Sequence, residues 1–231
     1  MNAATDQRFD AVLFDAGGVL VVPDPVAIAA VVQPFGGTVS VAALVRAHYG
    51  AMCSQDTEAL VHDDWDVYKR AYLAHAGVPP GAVDDALVAL KAIWSPHLWR
   101  FPLAESVAAL RRLHERGVPM GVVSNASGQI EGTLATQGVC QVGRGAGVPV
   151  DVVVDSHVVG VAKPDPRIFD SALDALGLPA GRVAYVGDSV RNDVAGAAAA
   201  GLVPLHLDPH DDHPGAPHRR IRSLHDLLAM V

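Results

Sequence analysis

Cysteine, aromatic residues and positive charge are all scarce in this chain, and each scarcity excludes something. Its 231 residues include two cysteines, Cys53 and Cys140, which share no CxxC or ligand-like spacing. A disulfide framework and a zinc site are therefore not expected, and both thiols read as free and structural. Lys and Arg number 17 against 25 Asp and Glu, a net charge of -8, and no basic run concentrates them. That balance speaks against a nucleic-acid groove or an anionic membrane surface and for a small-molecule partner. No apolar stretch approaches the roughly 20 residues that span a bilayer. Met1 to Asp10 has neither a basic start nor a hydrophobic stretch, so a cytoplasmic protein without a leader is expected. The sequence is silent on oligomeric state.

What is abundant is aliphatic: half the residues are hydrophobic, enough for a sizeable core. From Phe101 onward, helical patterns alternate with short Val-rich runs, the form of a parallel sheet covered on both faces. Strands are expected at Phe9–Phe14, Val118–Val123, near Val150–Val154, at Val183–Gly187 and at Val203–His206. Helices are expected over Leu103–Arg116, Pro166–Leu176 and Asp193–Ala200. Right-handed crossovers would bring the strand C-termini to one rim, where open α/β sheets bind ligands. The stretch between Leu20 and Phe101 is too long for one crossover and reads as a helical insert, with helices over Val39–Met52, Asp56–Gly77 and Ala82–Trp94. The expected fold is thus α/β, a doubly wound Rossmann-like core (1–21 and 97–231) carrying a small helical cap (22–96).

Polar residues sit where these strands end. Asp15-Ala16-Gly17-Gly18 follows the first run, Ser124-Asn125 the second, and Gly187-Asp188-Ser189-Val190-Arg191-Asn192-Asp193 the fourth, while Lys163-Pro164 precedes a helical stretch. Two carboxylates delivered by strand ends suggest a nucleophile beside a divalent cation. Alone, Asp188 and Asp193 would pass for a turn and a helix N-cap, Ser-Asn for a turn, and Lys163 for a solvated loop residue.

The four signals in this order resemble the haloacid dehalogenase-like hydrolase superfamily, and Gly160 to Phe169 is a further close local match. The resemblance implies a magnesium-dependent phosphatase. Asp15 would attack phosphorus to form an aspartyl-phosphate, and Ser124 and the Asn125 amide would hold a phosphoryl oxygen. Lys163 would balance charge. Mg2+ would be bound by the Asp15 carboxylate, the Gly17 carbonyl and Asp188, with Asp193 acting through water.

One position departs from the pattern. Phosphatases of this family usually carry a second Asp two residues after the nucleophile, as general acid and base, and here it is Gly17. General acid catalysis contributes about 100- to 10,000-fold, so acyl, aryl and anomeric sugar phosphates, which leave with less help, become the expected substrates. Arg46, His48, Tyr49 and His62 in the insert are polar candidates for a substitute proton donor, each with a packing role as the plainer account. A metal-independent haloacid dehalogenase remains open, since its motif Asp-Ala-x-Gly-Thr is close to Asp15–Val19. A phosphonatase would need a Schiff-base lysine, for which the insert offers Lys69 and Lys91 without a recognisable context. A catalytically impaired phosphometabolite-binding protein is the alternative of another class.

Other features read as structural. Val139–Pro149 is Gly-rich but leads into a strand and is expected to be a surface loop. His206, His210, His213 and His218 crowd Asp208, Asp211 and Asp212, yet Pro209, Pro214 and Pro217 mark that stretch as a solvated loop. Trp65, Trp94 and Trp99 are expected to pack the cap or its junction.

Overall fold

A computed structural model describes residues 8–58 and 65–231. Residues 1–7, and residues 59–64 of the second expected insert helix with His62 among them, lie outside the described residues. In chain order the strands are β1 (Ala11–Phe14), β2 (Val21–Pro23), β3 (Trp99–Pro102), β4 (Met120–Ser124), β5 (Cys140–Val142), β6 (Val148–Val150), β7 (Val152–Asp155), β8 (Val183–Gly187), β9 (Val203–Leu207) and β10 (Arg220–Ile221). The helices are α1 (Pro25–Val32), α2 (Val41–Glu58), α3 (Trp65–His75), α4 (Val83–Ile93), α5 (Ala104–Glu115), α6 (Ile130–Thr136), α7 (Ser156–Val159), α8 (Asp170–Leu176) and α9 (Ala195–Ala199).

Six strands form one parallel sheet in the order β10-β9-β8-β1-β4-β7. Strand β1 alternates its side chains between the two faces, as the two-residue period of a strand requires. Val12 and Phe14 join a core layer with Leu110 and Leu113 of α5 and Leu134 of α6. Ala11 and Leu13 join another with Ala172 of α8 and Ala197 of α9. The order reverses at β1, whose neighbours β4 and β8 leave it in opposite directions. A crevice opens at such a switch point, beyond the strand C-termini. Phe14 is in register with both Val122 and Val186, so the residues that follow these three strands share one rim.

The insert has its own apolar cluster, running from Ile28 to Leu98 and centred on Leu44, Tyr68, Tyr72, Leu73 and Leu90. Its helices differ from expectation in two respects. The break expected after Met52 is absent, and α2 continues to Glu58. Gln55 is buried there, its side-chain carbonyl accepting from the Tyr68 amide, and Asp56 is tied to the core, so tertiary contacts hold the last turn. Helix α1, with Asp24 capping the amides of Val26 and Ala27, escaped the pattern because it is apolar nearly all round.

Strands β2 and β3 were also unforeseen. They pair antiparallel, so the two passages between core and insert are hydrogen-bonded to one another, with Arg100 and Asp24 adding an ion pair at 2.8 Å. The Gly-rich segment is not merely a surface loop: β5 and β6 pair in parallel, and the Gln141 amide bridges the turn to Gly143 and Gly147. The C-terminal histidine stretch is likewise less solvated than expected. His206 and Asp208 are buried, Asp208 accepts from the amides of Asp212 and His213 and from Arg220, and His206 pairs with His218 at 2.9 Å. Both cysteines are free.

Candidate active site

Asp15, Gly17, Ser124, Asn125, Lys163, Asp188 and Asp193, drawn from four separated segments, line one cavity of about 460 Å³ at the strand-end rim. Asp15 follows β1, its amide bonded to the Val186 carbonyl of β8 and its Oδ1 accepting from the Ala16 amide at 2.7 Å. The chain then doubles back through Gly18, whose φ of +69° suits glycine. A Cβ there would fall 1.9 Å from Asp188 Oδ2 and 2.6 Å from His48 Nε2. Gly187 is similarly required, because the Asp193 carboxylate folds back over it at 2.2 Å from where a Cβ would be.

Lys163 is the buried hub. Its Nζ lies 3.0 Å from Asp15 Oδ1, 2.7 Å from Asp193 Oδ1 and 2.8 Å from the Tyr185 hydroxyl, so all three ammonium protons have acceptors. Burial pulls its pKa down, but the Asp15 and Asp193 carboxylates more than offset this and hold it above its ordinary value. The Asn125 side chain fixes the Lys163 backbone at both ends: Nδ2–H donates to the Lys163 carbonyl and Oδ1 accepts from its amide, at 2.9 and 2.8 Å. Sequence reasoning assigned Asn125 only its main-chain amide; the side-chain clamp had no local signal.

Asp15, Asp188 and Asp193 place carboxylate oxygens within 4.8 Å of one another, the one such group of potential metal ligands found among the described residues. Burial pushes the Asp15 carboxyl up to about 7, with Asp193 and Asp188 adding to the rise and Lys163 opposing it. Three carboxylates face one ammonium, a formal excess of two negative charges, and all donors are oxygens. This set fits a hard divalent cation such as Mg2+. Both Asp193 oxygens are already engaged, Oδ1 by Lys163 and Oδ2 by the Ser189 amide at 3.0 Å.

The insert reaches this cluster from α2, through His48 and Tyr49 and, eight residues after His48, Asp56. His48 is buried, its Nε2 2.9 Å from Asp188 Oδ2 and its Nδ1 2.9 Å from the Tyr68 hydroxyl. The tautomer protonated on Nε2 satisfies both contacts: Nε2–H donates to the carboxylate while Tyr68 O–H donates to Nδ1. Tyr49 O–H donates to the Gly18 carbonyl at 3.0 Å. Two turns on, Asp56 accepts from the Ser189 hydroxyl and the amides of Val190 and Arg191, capping the π-helical turn Val190–Val194. Asp56 escaped sequence reasoning altogether. Of the other insert candidates, Arg46 pairs with Asp212 at 2.6 Å, and Lys69 and Lys91 pair with Asp66; none of the three lines the cavity.

At Gly17 a Cβ would meet the Trp99 ring at 3.2 Å. The space an acidic side chain would use is thus bordered by indole. Trp99, Trp94 and Trp65, with Met52 and Ile130, form the outer wall of the cavity, and Gln55, Ser95 and Gln129 supply its polar groups.

A sheet with its nucleophile-like Asp at the central strand end, a buried lysine and a carboxylate cluster defines a class of hydrolase. The family model for haloacid dehalogenase-like hydrolases matches residues 9–201, and the chain belongs to that family. It is 32% identical over 157 residues to the ribulose-1,5-bisphosphate 5-phosphatase of Halopiger xanaduensis, a match covering 67% of this chain and 62% of that enzyme. The crystal structure of a phosphatase of this family from Thermococcus onnurineus superposes with a TM-score of 0.58 at 21% identity, covering 94% of this chain and 95% of that one. A 2-haloacid dehalogenase from Pseudomonas syringae superposes with a TM-score of 0.51 at 22% identity, covering 95% and 97%. At these identities the two structures speak for the fold alone. No helix among the described residues is long and apolar enough to cross a membrane.

Proposed function

We propose that the chain is a Mg2+-dependent phosphatase acting on a small phosphorylated metabolite through an aspartyl-phosphate on Asp15. The observation that carries this reading over a dehalogenase is the pair of buried carboxylates, Asp188 and Asp193, clustered with Asp15, a pair that a metal-independent carbon–halogen hydrolase does not need to hold a cation. The phosphatase match in Halopiger supports it. Asp15, Asp188 and the Gly17 carbonyl would hold Mg2+, with Asp193 reaching it through water. The ion would screen the anionic nucleophile from the anionic phosphoryl group.

Asp15 attacks phosphorus in line and the ester oxygen departs with its electron pair; water then hydrolyses the acyl phosphate. Ser124 O–H and the Asn125 amide donate to a phosphoryl oxygen, and Lys163 keeps Asp15 ionised and aimed. Segment 22–96 acts as the cap and 1–21 with 97–231 as the core. The partner is a small molecule rather than nucleic acid or membrane, and the setting is cytoplasmic.

Phosphate release from acetyl phosphate and p-nitrophenyl phosphate, with Mg2+ and with EDTA, tests the reading. Metal-dependent release is expected. Chloride release from 2-chloropropionate, with no phosphate released from either ester, would replace it with the dehalogenase reading.

His48 supplies a separate test. An N–H that orients a metal carboxylate typically accounts for about 10- to 100-fold in metal affinity. His48→Ala is therefore expected to weaken Mg2+ or Mn2+ binding by that factor in titration calorimetry. His48→Gln, which can present an N–H at similar reach, should recover most of it. Equal affinities in all three proteins would reduce His48 to a packing residue.

A further inference from the structure

The outer wall of the cavity and the residue at position 17 restrict the leaving group independently, and they agree. Three of the residues that line the cavity, Trp65, Trp94 and Trp99, are indoles, and each also packs against the buried Tyr68. Trp99 stands 6.2 Å from Trp65 at 74° and 6.3 Å from Trp94 at 86°, so the rings make a corner that offers one planar guest both a face and an edge. Among the described lining residues Lys163 is the only cation, and Asp15 and Asp193 already engage it. A second phosphate or a carboxylate on the substrate would find no other cation among the described lining residues.

Position 17 has no proton to give, and the Trp99 ring, 3.2 Å from where its Cβ would lie, borders the place an acidic side chain would take. With no proton donor at that position, an ester oxygen that is stable as an anion leaves most readily. A phenol ionises near 10, as tyrosine does, whereas an alkanol, like water, gives up its proton far less readily. Without a general acid the aryl ester is favoured by a wide margin.

We propose that the substrate is an aryl phosphate, the phosphoric monoester of an uncharged planar phenol whose ring sits in the Trp65–Trp94–Trp99 corner while its phosphate faces Asp15. This rests on the phosphatase reading. In the first step an Asp15 oxygen forms a bond to phosphorus, the P–O(aryl) bond breaks, and its electron pair leaves on the phenolate, which takes a proton from solvent. In the second, water attacks phosphorus, releasing inorganic phosphate and restoring the Asp15 carboxylate. No oxidant or reductant is involved.

The experiment compares 1-naphthyl phosphate, acetyl phosphate, uridine 5′-monophosphate and ribose 5-phosphate as substrates of the full chain with Mg2+. Acetyl phosphate matches the aryl ester in leaving ability but has no ring, and the nucleotide has a ring but an alkoxide leaving group. The expected order is naphthyl phosphate first, at least about 100-fold in kcat/KM above the two alkyl esters. Trp65→Ala, at the more exposed corner of the wall, should lower the ratio of naphthyl to acetyl phosphate kcat/KM about tenfold, chiefly through KM. Phenylphosphonate binding, followed by calorimetry, should weaken in parallel. Acetyl phosphate cleaved as well as naphthyl phosphate, with a ratio indifferent to Trp65, overturns the aryl assignment and leaves the phosphatase standing. Preference for the nucleotide overturns it in favour of a base-binding wall. No phosphate from any of the four overturns the phosphatase reading itself.

Discussion

Asp15→Asn is expected to lower phosphate release by about 10,000-fold or more while making the metal-free protein more stable. The loss follows from removing the attacking oxygen: when a nucleophile is deleted, only binding and the surrounding donors remain to act on the substrate. The gain follows from electrostatics. A carboxyl pushed up to about 7 by burial, with Asp193 and Asp188 beside it, is one whose ionised form the fold disfavours at neutral pH. An amide of the same shape removes one charge from an over-negative cluster and can still accept from Lys163 Nζ. Sign and size are read from phosphate release with Mg2+ and from urea midpoints in EDTA at pH 7.5. Activity within tenfold of the parent would mean that water, not Asp15, attacks phosphorus. A lower midpoint would mean that the Asp15–Lys163 pair outweighs the repulsion.

Lys163→Met should shift stability the other way. The Lys163 ammonium is 1% exposed and touches Asp15, Asp193 and Tyr185. Methionine fills much of the volume but leaves two buried carboxylates without their cation. Breaking a buried pair on one side costs roughly 3–5 kcal/mol, and the partial protonation available to Asp15 places this case at the lower end. A lysine whose pKa the fold raises stabilises the protein at every pH below its ordinary value and loses that contribution only in strong alkali. The loss should therefore be fully expressed at pH 7.5 in EDTA, and Mg2+ should restore part of it. Turnover with saturating Mg2+ should fall by about 100- to 1,000-fold, the effect of losing a charged group beside a reacting phosphoryl. Opposite stability shifts in Asp15→Asn and Lys163→Met would separate electrostatics from packing; a neutral Lys163→Met would sink the account of this cluster.

The rim of the site could be read from the chain because its residues announce themselves locally. Asp15, Ser124 and Asp188 each end a short aliphatic run, and the two-residue period of β1 is visible in Val12, Leu13 and Phe14. The insert could be read only as helical. Its tie to the core depends on His48 meeting Asp188 and on Asp56 meeting Ser189 and Val190, contacts made across 140, 133 and 134 residues of chain. An amphipathic helix says which face is buried, not which partner waits there. Strands β2 and β3 are short, β3 is partly exposed, and Trp99, whose ring borders Gly17, belongs to it. The glycine could be seen as a gap in a motif; that an indole stands beside the gap could not.

The chain contains three tryptophans, and all three line the cavity. Its entire indole fluorescence therefore originates at the mouth of the site, with no background from the rest of the fold. A nitroaromatic guest would quench this emission, and displacement of the insert would shift its wavelength by changing how much water the rings see. The wall that selects the guest thus doubles as an optical probe of its arrival, and occupancy can be followed in the unlabelled protein even where no turnover occurs.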